Sequence, residues 1–271
     1  MLTAGKSVSE WDSRVDFNAF SGIALIAWFG VLALAEWKLA SRSGVVEDHG
    51  DGRLITNFGF GIIALAASLI LPVANLGAAA TGEWAQVGLA RYVPMPWLLA
   101  VALLLIVQSF AAYWVNRLMH HVPILWRVHR VHHSDSAVDV STSLRNHPLE
   151  LVLVVPVETS VVLLLGADLS MVVAVQALLA ASLFWQHADI RLPPRAEAML
   201  SRALITPKVH RLHHHPDRAI HDANYGDLFI WWDVLFGTLK RSGERQRVGL
   251  IGQPARPGSL VDQICSPLYA V

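Results

Sequence analysis

The chain has a single cysteine, Cys265, which excludes an internal disulfide and any thiolate metal site built from this chain alone. Charge is scarce: 15% of residues are charged, and 21 Lys and Arg balance 21 Asp and Glu to a formal net charge of zero. There is no polybasic run, so nothing is available to neutralise a nucleic-acid backbone, and nucleic acid is not an expected partner. No flavin, haem or nicotinamide fingerprint is present, so any redox chemistry needs an electron donor outside the chain. No HExxH or comparable carboxylate base stands beside the histidines, which ranks metal-dependent hydrolysis or isomerisation of a lipid last. Solenoid repeats and low-complexity tracts are absent as well.

Apolar residues are abundant, at 54% of 271, too many for an ordinary soluble domain and suited to a membrane protein. The first 17 residues are mixed in polarity, and the apolar run after them lacks a convincing cleavage site, so it reads as a retained anchor. Phe20–Leu39, Leu54–Val73 and Met95–Met119 are each long enough to cross a bilayer as a helix. The third is longer than the bilayer requires. Leu149–Leu165 and Leu169–Trp185, divided by Gly166-Ala167-Asp168, read as a helical hairpin. After Trp185 the chain reads as mostly polar. The expected fold is all-α and polytopic, about four transmembrane helices capped by a cytosolic helical histidine-rich metal domain. Its divisions are 1–119 for the N-terminal region and three spans, 120–148 for a first histidine segment, 149–186 for the hairpin, and 187–271 for a second histidine segment and tail. Lys38, Arg42 and Arg53 outnumber Arg91 in the opposite loop, which places the first loop, and the histidines with it, on the cytoplasmic side of an integral, multi-pass protein.

Thirteen histidines occur, all but His49 between His120 and His221. His129-Arg130-Val131-His132-His133 and His210-Arg211-Leu212-His213-His214 repeat the spacing i, i+3, i+4, which on a helix brings three imidazoles to one face, so each segment reads as a half-site. Two such segments in one chain make a strong signal, where one would be weak. Neutral imidazole leaves a bound ion its full charge and suits Fe, Zn, Cu and Ni. Asp135, Asp139, Glu150 and Asp189 are candidate acceptors for the second ring nitrogens. His215 and His221 read as solvent-side residues. Trp114, Trp126, Trp185, Trp231 and Trp232 read as an interfacial belt. Arg127, Arg130 and Arg211 read as structural partners of nearby carboxylates. Asn224-Tyr225-Gly226 reads as a turn, and Gly237 as the end of a short helix.

In order along the chain, Asn116-Arg117-Leu118-Met119-His120, the two HxxHH segments, Asn146-His147-Pro148, Gln186-His187-Ala188-Asp189, Asn224-Tyr225-Gly226 and Trp232–Thr238 resemble the successive blocks of the sterol desaturase and fatty acid hydroxylase superfamily. The likeness runs from about residue 109 to 240. It implies O2-dependent hydroxylation or desaturation of a membrane lipid at two Fe ions, with Zn able to occupy the site in purified protein. Electrons would come from a reductase with a ferredoxin or cytochrome. Carried over by position, the ligands would be His120, His129, His132, His133, His187, His210, His213 and His214, with His147 as a ligand or outer partner. Three positions depart from the family pattern: Asn116 stands for a histidine, Ser109 for an acid and Asp189 for an asparagine. Asn116 is a weaker, oxygen-donating candidate ligand, and Asp189 could compensate from beside His187. The alternative reading is a metal-binding pseudo-enzyme with an altered site.

Overall fold

A computed structural model describes residues 8–39, 52–70, 73–242, 248–251 and 259–268. Arg42 and His49, and part of the expected second span, lie outside them. The described residues are helical, joined by turns and one isolated bridge between Leu204 and Phe229. In chain order come α1 (Val8–Leu39), then α2 (Gly52–Ile70), α3 (Val73–Ala85) and the single turn α4 (Leu89–Tyr92) leading to α5 (Trp97–His121). Then come α6 (Pro123–His133), the hairpin α7 (Leu151–Leu165) and α8 (Leu169–His187), and short helices α9 (Pro194–Leu200), α10 (Pro207–His213), α11 (Arg218–His221), α12 (Trp231–Leu235) and α13 (Leu260–Cys265).

Among the described residues, four stretches are long and apolar enough to cross a membrane: Ser21–Lys38 within α1, Trp97–His121, Pro148–Leu165 and Leu169–His187. Of the expected span Leu54–Val73, residues 54–70 lie in α2 and Val73 begins α3, while residues 71–72 fall outside the described residues. The two helices together run the length of the bundle. Arg53, at the start of α2, pairs with Asp135 among the histidine segments, whereas Gly88, beyond α3, lies against Gly166 at the far turn of the hairpin. Both glycines have positive φ, 100° and 66°. A Cβ on Gly88 would fall 2.2 Å from the Gly166 nitrogen, so only glycine permits this approach. Gly166 also ends α7 in the left-handed region, and Asp168 opens α8 by accepting from the Met171 N–H at 2.9 Å.

The bundle core is formed by Leu104 of α5, Val162 of α7, and Val172 and Val175 of α8, with Ala78 and Ala79 letting α3 come close. Polar side chains inside it pair with one another: Glu158 accepts from Asn75 at 2.8 Å, and Gln176 donates to Gln108 at 3.2 Å, leaving the buried Gln108 Nε2 without a protein partner. At the opposite end from Gly88, α1 delivers Glu36, whose carboxylate accepts the Val140 and Asp189 N–H groups. Below it, Arg53, Asn57 and Thr142 converge on the fully buried Asp135, and Arg145 reaches Asn57, Ser134 and the Val131 carbonyl. This network clamps α2 to the loop after α6 and holds the histidine-bearing segments over the bundle.

Candidate metal centre

Pro123 starts α6 and Pro207 starts α10, each at a position where a missing N–H costs nothing, and Thr206 caps the second by accepting from Val209. The two short helices thereby set the two HxxHH segments against each other. Their histidines are buried, as are His120 at the end of α5 and His187 at the end of α8.

The eight imidazoles gather as two sets of four. His120, His129, His133 and His213 form one, and His132, His187, His210 and His214 the other; in each set the potential ligand atoms lie within 4.8 Å of one another. The half-site reading of each triplet is therefore corrected. On a helix, positions i and i+4 are roughly 40° apart while i+3 points about 100° away from i+4. His129 and His133 accordingly serve one set and His132 the other, and at α10 His210 and His214, the residue that ends the helix, separate from His213 in the same way.

The Nε2 atoms converge. His132 and His187 approach to 3.0 Å, His187 and His210 to 3.1 Å, His210 and His214 to 3.2 Å, and His120 and His133 to 3.2 Å. An ion bound at the ordinary imidazole distance of about 2.0–2.1 Å would hold adjacent nitrogens about 2.8–3.4 Å apart, depending on octahedral or tetrahedral geometry. The tautomers add a stricter test. His132 Nδ1 donates to the Arg145 carbonyl at 3.2 Å and His187 Nδ1 to the Leu183 carbonyl at 2.8 Å. A carbonyl can only accept, so in the neutral rings both Nε2 atoms carry bare lone pairs that face each other. That contact repels unless a cation lies between them. The orphaned Nε2 of His129 in the other set makes the same demand. The donor set thus fits a metal ion in each group.

The outer partners differ between the sets. His120 and His129 lean on carboxylates, Asp222 at 3.2 Å and Glu150 at 3.3 Å, and His213 on the Ala223 carbonyl at 2.8 Å. In the second set His132 and His187 lean on carbonyls, while His210 and His214 Nδ1 have no protein partner, as His133 Nδ1 has none in the first. Of the four acids considered from sequence, only Glu150 reaches a histidine. Asp135 and Asp139 bind Arg53, and Asp189 binds Arg211 at 2.6 Å, which leaves it unavailable to compensate beside His187. Arg211 is structural, as expected.

His147 lies outside both sets. Its Nδ1 accepts the Leu149 N–H and its Nε2 donates to the Ile264 carbonyl. Asn116 stands at the rim of the first set, where its Nδ2 donates to the Tyr225 carbonyl at 3.1 Å and lies 3.4 Å from His213 Nε2. Because the Tyr225 oxygen must face an N–H, the amide presents hydrogen rather than oxygen to His213. His215 and His221 are buried, correcting the solvent-side reading. His221 stacks on Trp126 at 5.2 Å, and Trp126 packs 5.0 Å from His120, so this tryptophan walls the centre instead of sitting in a belt. Tyr225, read only as part of a turn, lies 5.2 Å from His120 and 5.8 Å from His213. Nothing in the His221, Asp222 and Tyr225 positions announces this proximity, because they follow no helical period with the triplets.

Burial and the neighbouring imidazoles hold His132, His133, His210 and His214 well below the ordinary histidine value, and burial takes His213 down to about 3. In the unfolded chain the same rings titrate near 6.5. Metal-free protein should therefore keep its full stability above about pH 6.5 and lose it progressively as pH falls toward about 3, since below 6.5 the unfolded state takes up protons that the fold refuses. Thermal melts of chelator-treated protein in detergent across this range would show a falling midpoint, and a flat profile would mean that the rings are not held neutral.

Residues 101–238 match the family model described as Fatty acid hydroxylase. Human alkylglycerol monooxygenase is 33% identical over 144 residues, which cover 52% of this chain and 31% of that protein. Ornithine lipid hydroxylase OlsE of Rhizobium tropici is 28% identical over 270 residues, covering 94% of this chain and 78% of the relative. Alkylglycerol monooxygenase of Caenorhabditis elegans is 26% identical over 253 residues, with 86% and 44% covered. The match thus spans about a third of the human protein's length. No solved structure gives a significant match.

Proposed function

The chain belongs to the fatty acid hydroxylase family, and on that premise we propose that it is a multi-pass membrane oxidoreductase that hydroxylates or desaturates a lipid at a two-iron centre. His120, His129, His133 and His213 would hold one ion and His132, His187, His210 and His214 the other. The observation that carries this reading is the convergence of bare Nε2 atoms in two buried sets of four. The relatives are named for hydroxylation of ornithine lipid and monooxygenation of alkylglycerol, which supports a lipid as substrate.

Iron in such a site supplies reduction of O2 and the oxidising power to break an unactivated C–H bond. For hydroxylation, RH, O2, two electrons and two protons become ROH and water, with the electrons delivered by a separate reductase. The chain's own residues have other tasks. The Arg145, Leu183 and Ala223 carbonyls, with Asp222 and Glu150, fix ring orientation and leave Nε2 free for the ions. Trp126, Tyr225 and the stacked His221 close the first set to water. The basic residues of the first loop support a cytoplasmic placement of this end.

The test is metal content by mass spectrometry on protein made in iron-supplemented cells, followed by product analysis with lipid extract, O2 and a reducing system. About two Fe per chain and a product heavier by one oxygen, or lighter by two hydrogens, is the expected result. Asn116→His should leave the metal count unchanged, because the first set is complete without it. A gain of oxidation on that substitution, from an inactive starting protein, would instead establish the pseudo-enzyme reading.

A further inference from the structure

Beyond the four long apolar stretches, residues 228–237 read Leu-Phe-Ile-Trp-Trp-Asp-Val-Leu-Phe-Gly, an apolar island in a region whose sequence is otherwise mostly polar. It is far too short to span a bilayer. Its solvent-accessible face is wholly apolar, with Trp231 45%, Val234 58% and Leu235 67% exposed, while its one charged residue, Asp233, is buried.

Where this segment docks decides what that face meets. The Trp232 indole donates to Ser109 Oγ at 2.9 Å, and its ring packs 5.1 Å from Phe110. Phe236 stacks on Tyr113 at 5.3 Å and packs on Trp114 at 5.1 Å. All four partners lie on α5, whose 25 residues run from Trp97 to His121. About 20 helical residues fill the hydrocarbon layer. Every window of that length within α5 contains residues 102–116, so Ser109 is inside the hydrocarbon however the helix is placed, about 10 Å or more from either boundary at 1.5 Å per residue.

We infer that residues 228–237 form a re-entrant element that enters the hydrocarbon layer from the histidine end, with Trp231, Val234 and Leu235 facing the acyl chains of the bilayer. This rests on α5 crossing the membrane. Irregular backbone survives at such depth only when its polar groups are satisfied by protein, and several here are: the Leu228 carbonyl accepts from the Ile205 N–H at 2.9 Å, and the Val234 and Phe236 N–H groups donate to the Ile230 and Trp232 carbonyls at 3.1 and 2.9 Å. Asp233 accepts from the Tyr225 N–H at 2.8 Å, the Gly226 N–H at 2.9 Å and the Thr238 hydroxyl at 2.7 Å. Ser182 of α8 donates to the Asp227 carbonyl at 2.7 Å, and the Ile230 N–H donates to the Ala203 carbonyl at 3.0 Å. The element also touches the metal end. Tyr113, beneath Phe236, is 6.0 Å from Tyr225, which packs against His120 and His213.

The experiment is spin labelling of the full chain in phosphatidylcholine vesicles, with Cys265→Ser as background and single cysteines at Leu235, at Ile106 of α5 and at the exposed Lys208 of α10. Accessibility to O2, which concentrates in lipid, is compared with accessibility to a water-soluble nickel chelate. Leu235 should match Ile106, its O2-to-nickel ratio exceeding that of Lys208 severalfold. A Leu235 ratio equal to that of Lys208, with Ile106 still lipid-like, overturns the inference alone; an aqueous Ile106 overturns the membrane crossing of α5 and the inference with it. The conservative Trp231→Phe supplies a second readout. Tryptophan quenching by lipids brominated in mid-chain should lose a component in this variant, and unchanged quenching overturns the proposal.

Discussion

Replacing His132 and His133 together with alanine should empty both centres, whereas either replacement alone should leave about one metal ion per chain. The two residues are adjacent in sequence but belong to different sets, because successive helical positions diverge by about 100°. If each HxxHH segment made its own centre, the double substitution would leave one ion, so metal counting separates the arrangements. The remaining ion should also differ between the single variants. In His132→Ala it occupies the set backed by Asp222 and Glu150; in His133→Ala it occupies the set backed by carbonyls, with two Nδ1 atoms lacking protein partners. A carboxylate behind an imidazole raises its basicity, and loss of such outer partners costs about 10–100-fold in metal affinity. A chelator titration should therefore strip His133→Ala at a concentration lower by roughly one order of magnitude or more. Oxidation of lipid should fall by more than about 100-fold in both single variants, beyond the range for losing an outer partner alone.

Asp135→Ala should be the most damaging substitution outside the histidines. Asp135 is completely buried, with Arg53 at 3.1 Å, Asn57 at 2.9 Å and Thr142 at 2.7 Å. Its removal leaves the Arg53 guanidinium, itself buried, with Asp139 as its one carboxylate beside the Ala137 carbonyl, and leaves Asn57 short of an acceptor. Breaking a buried ion pair from one side costs about 3–5 kcal/mol, since the surviving charge stays desolvated. The expected readout is a large drop in the melting midpoint of the metal-loaded protein, with a smaller drop for Asp135→Asn, which keeps the shape and one acceptor. Equal and small effects of the two would show that the clamp between α2 and the segment after α6 is not what holds the histidine end together.

Much of this organisation was legible. Trp97–His121 and the hairpin flanking Gly166-Ala167-Asp168 stand out because length and continuous hydrophobicity are properties of a single helix. What holds the start of α2 was not, because the partners of Arg53 and Asn57 lie far along the chain in residues 135–145. Trp232 looked interfacial by composition, but its depth follows from the bond to Ser109 on another helix. Asp189 looked like a substitute ligand beside His187 until Arg211 claimed it.

The number and kind of donors, their spacing within each helix and the apolar lengths around them were determined by the sequence alone, since local periodicity and side-chain chemistry act within a few residues. The division of each triplet between two sets of histidines, the carboxylates behind His120 and His129, the position of His147 outside both sets and the placing of Tyr225 and His221 were decided only by tertiary structure. Helical periodicity sets the direction of a side chain about its own axis; which ring, carbonyl or acid stands there depends on how α5, α6, α8 and α10 dock.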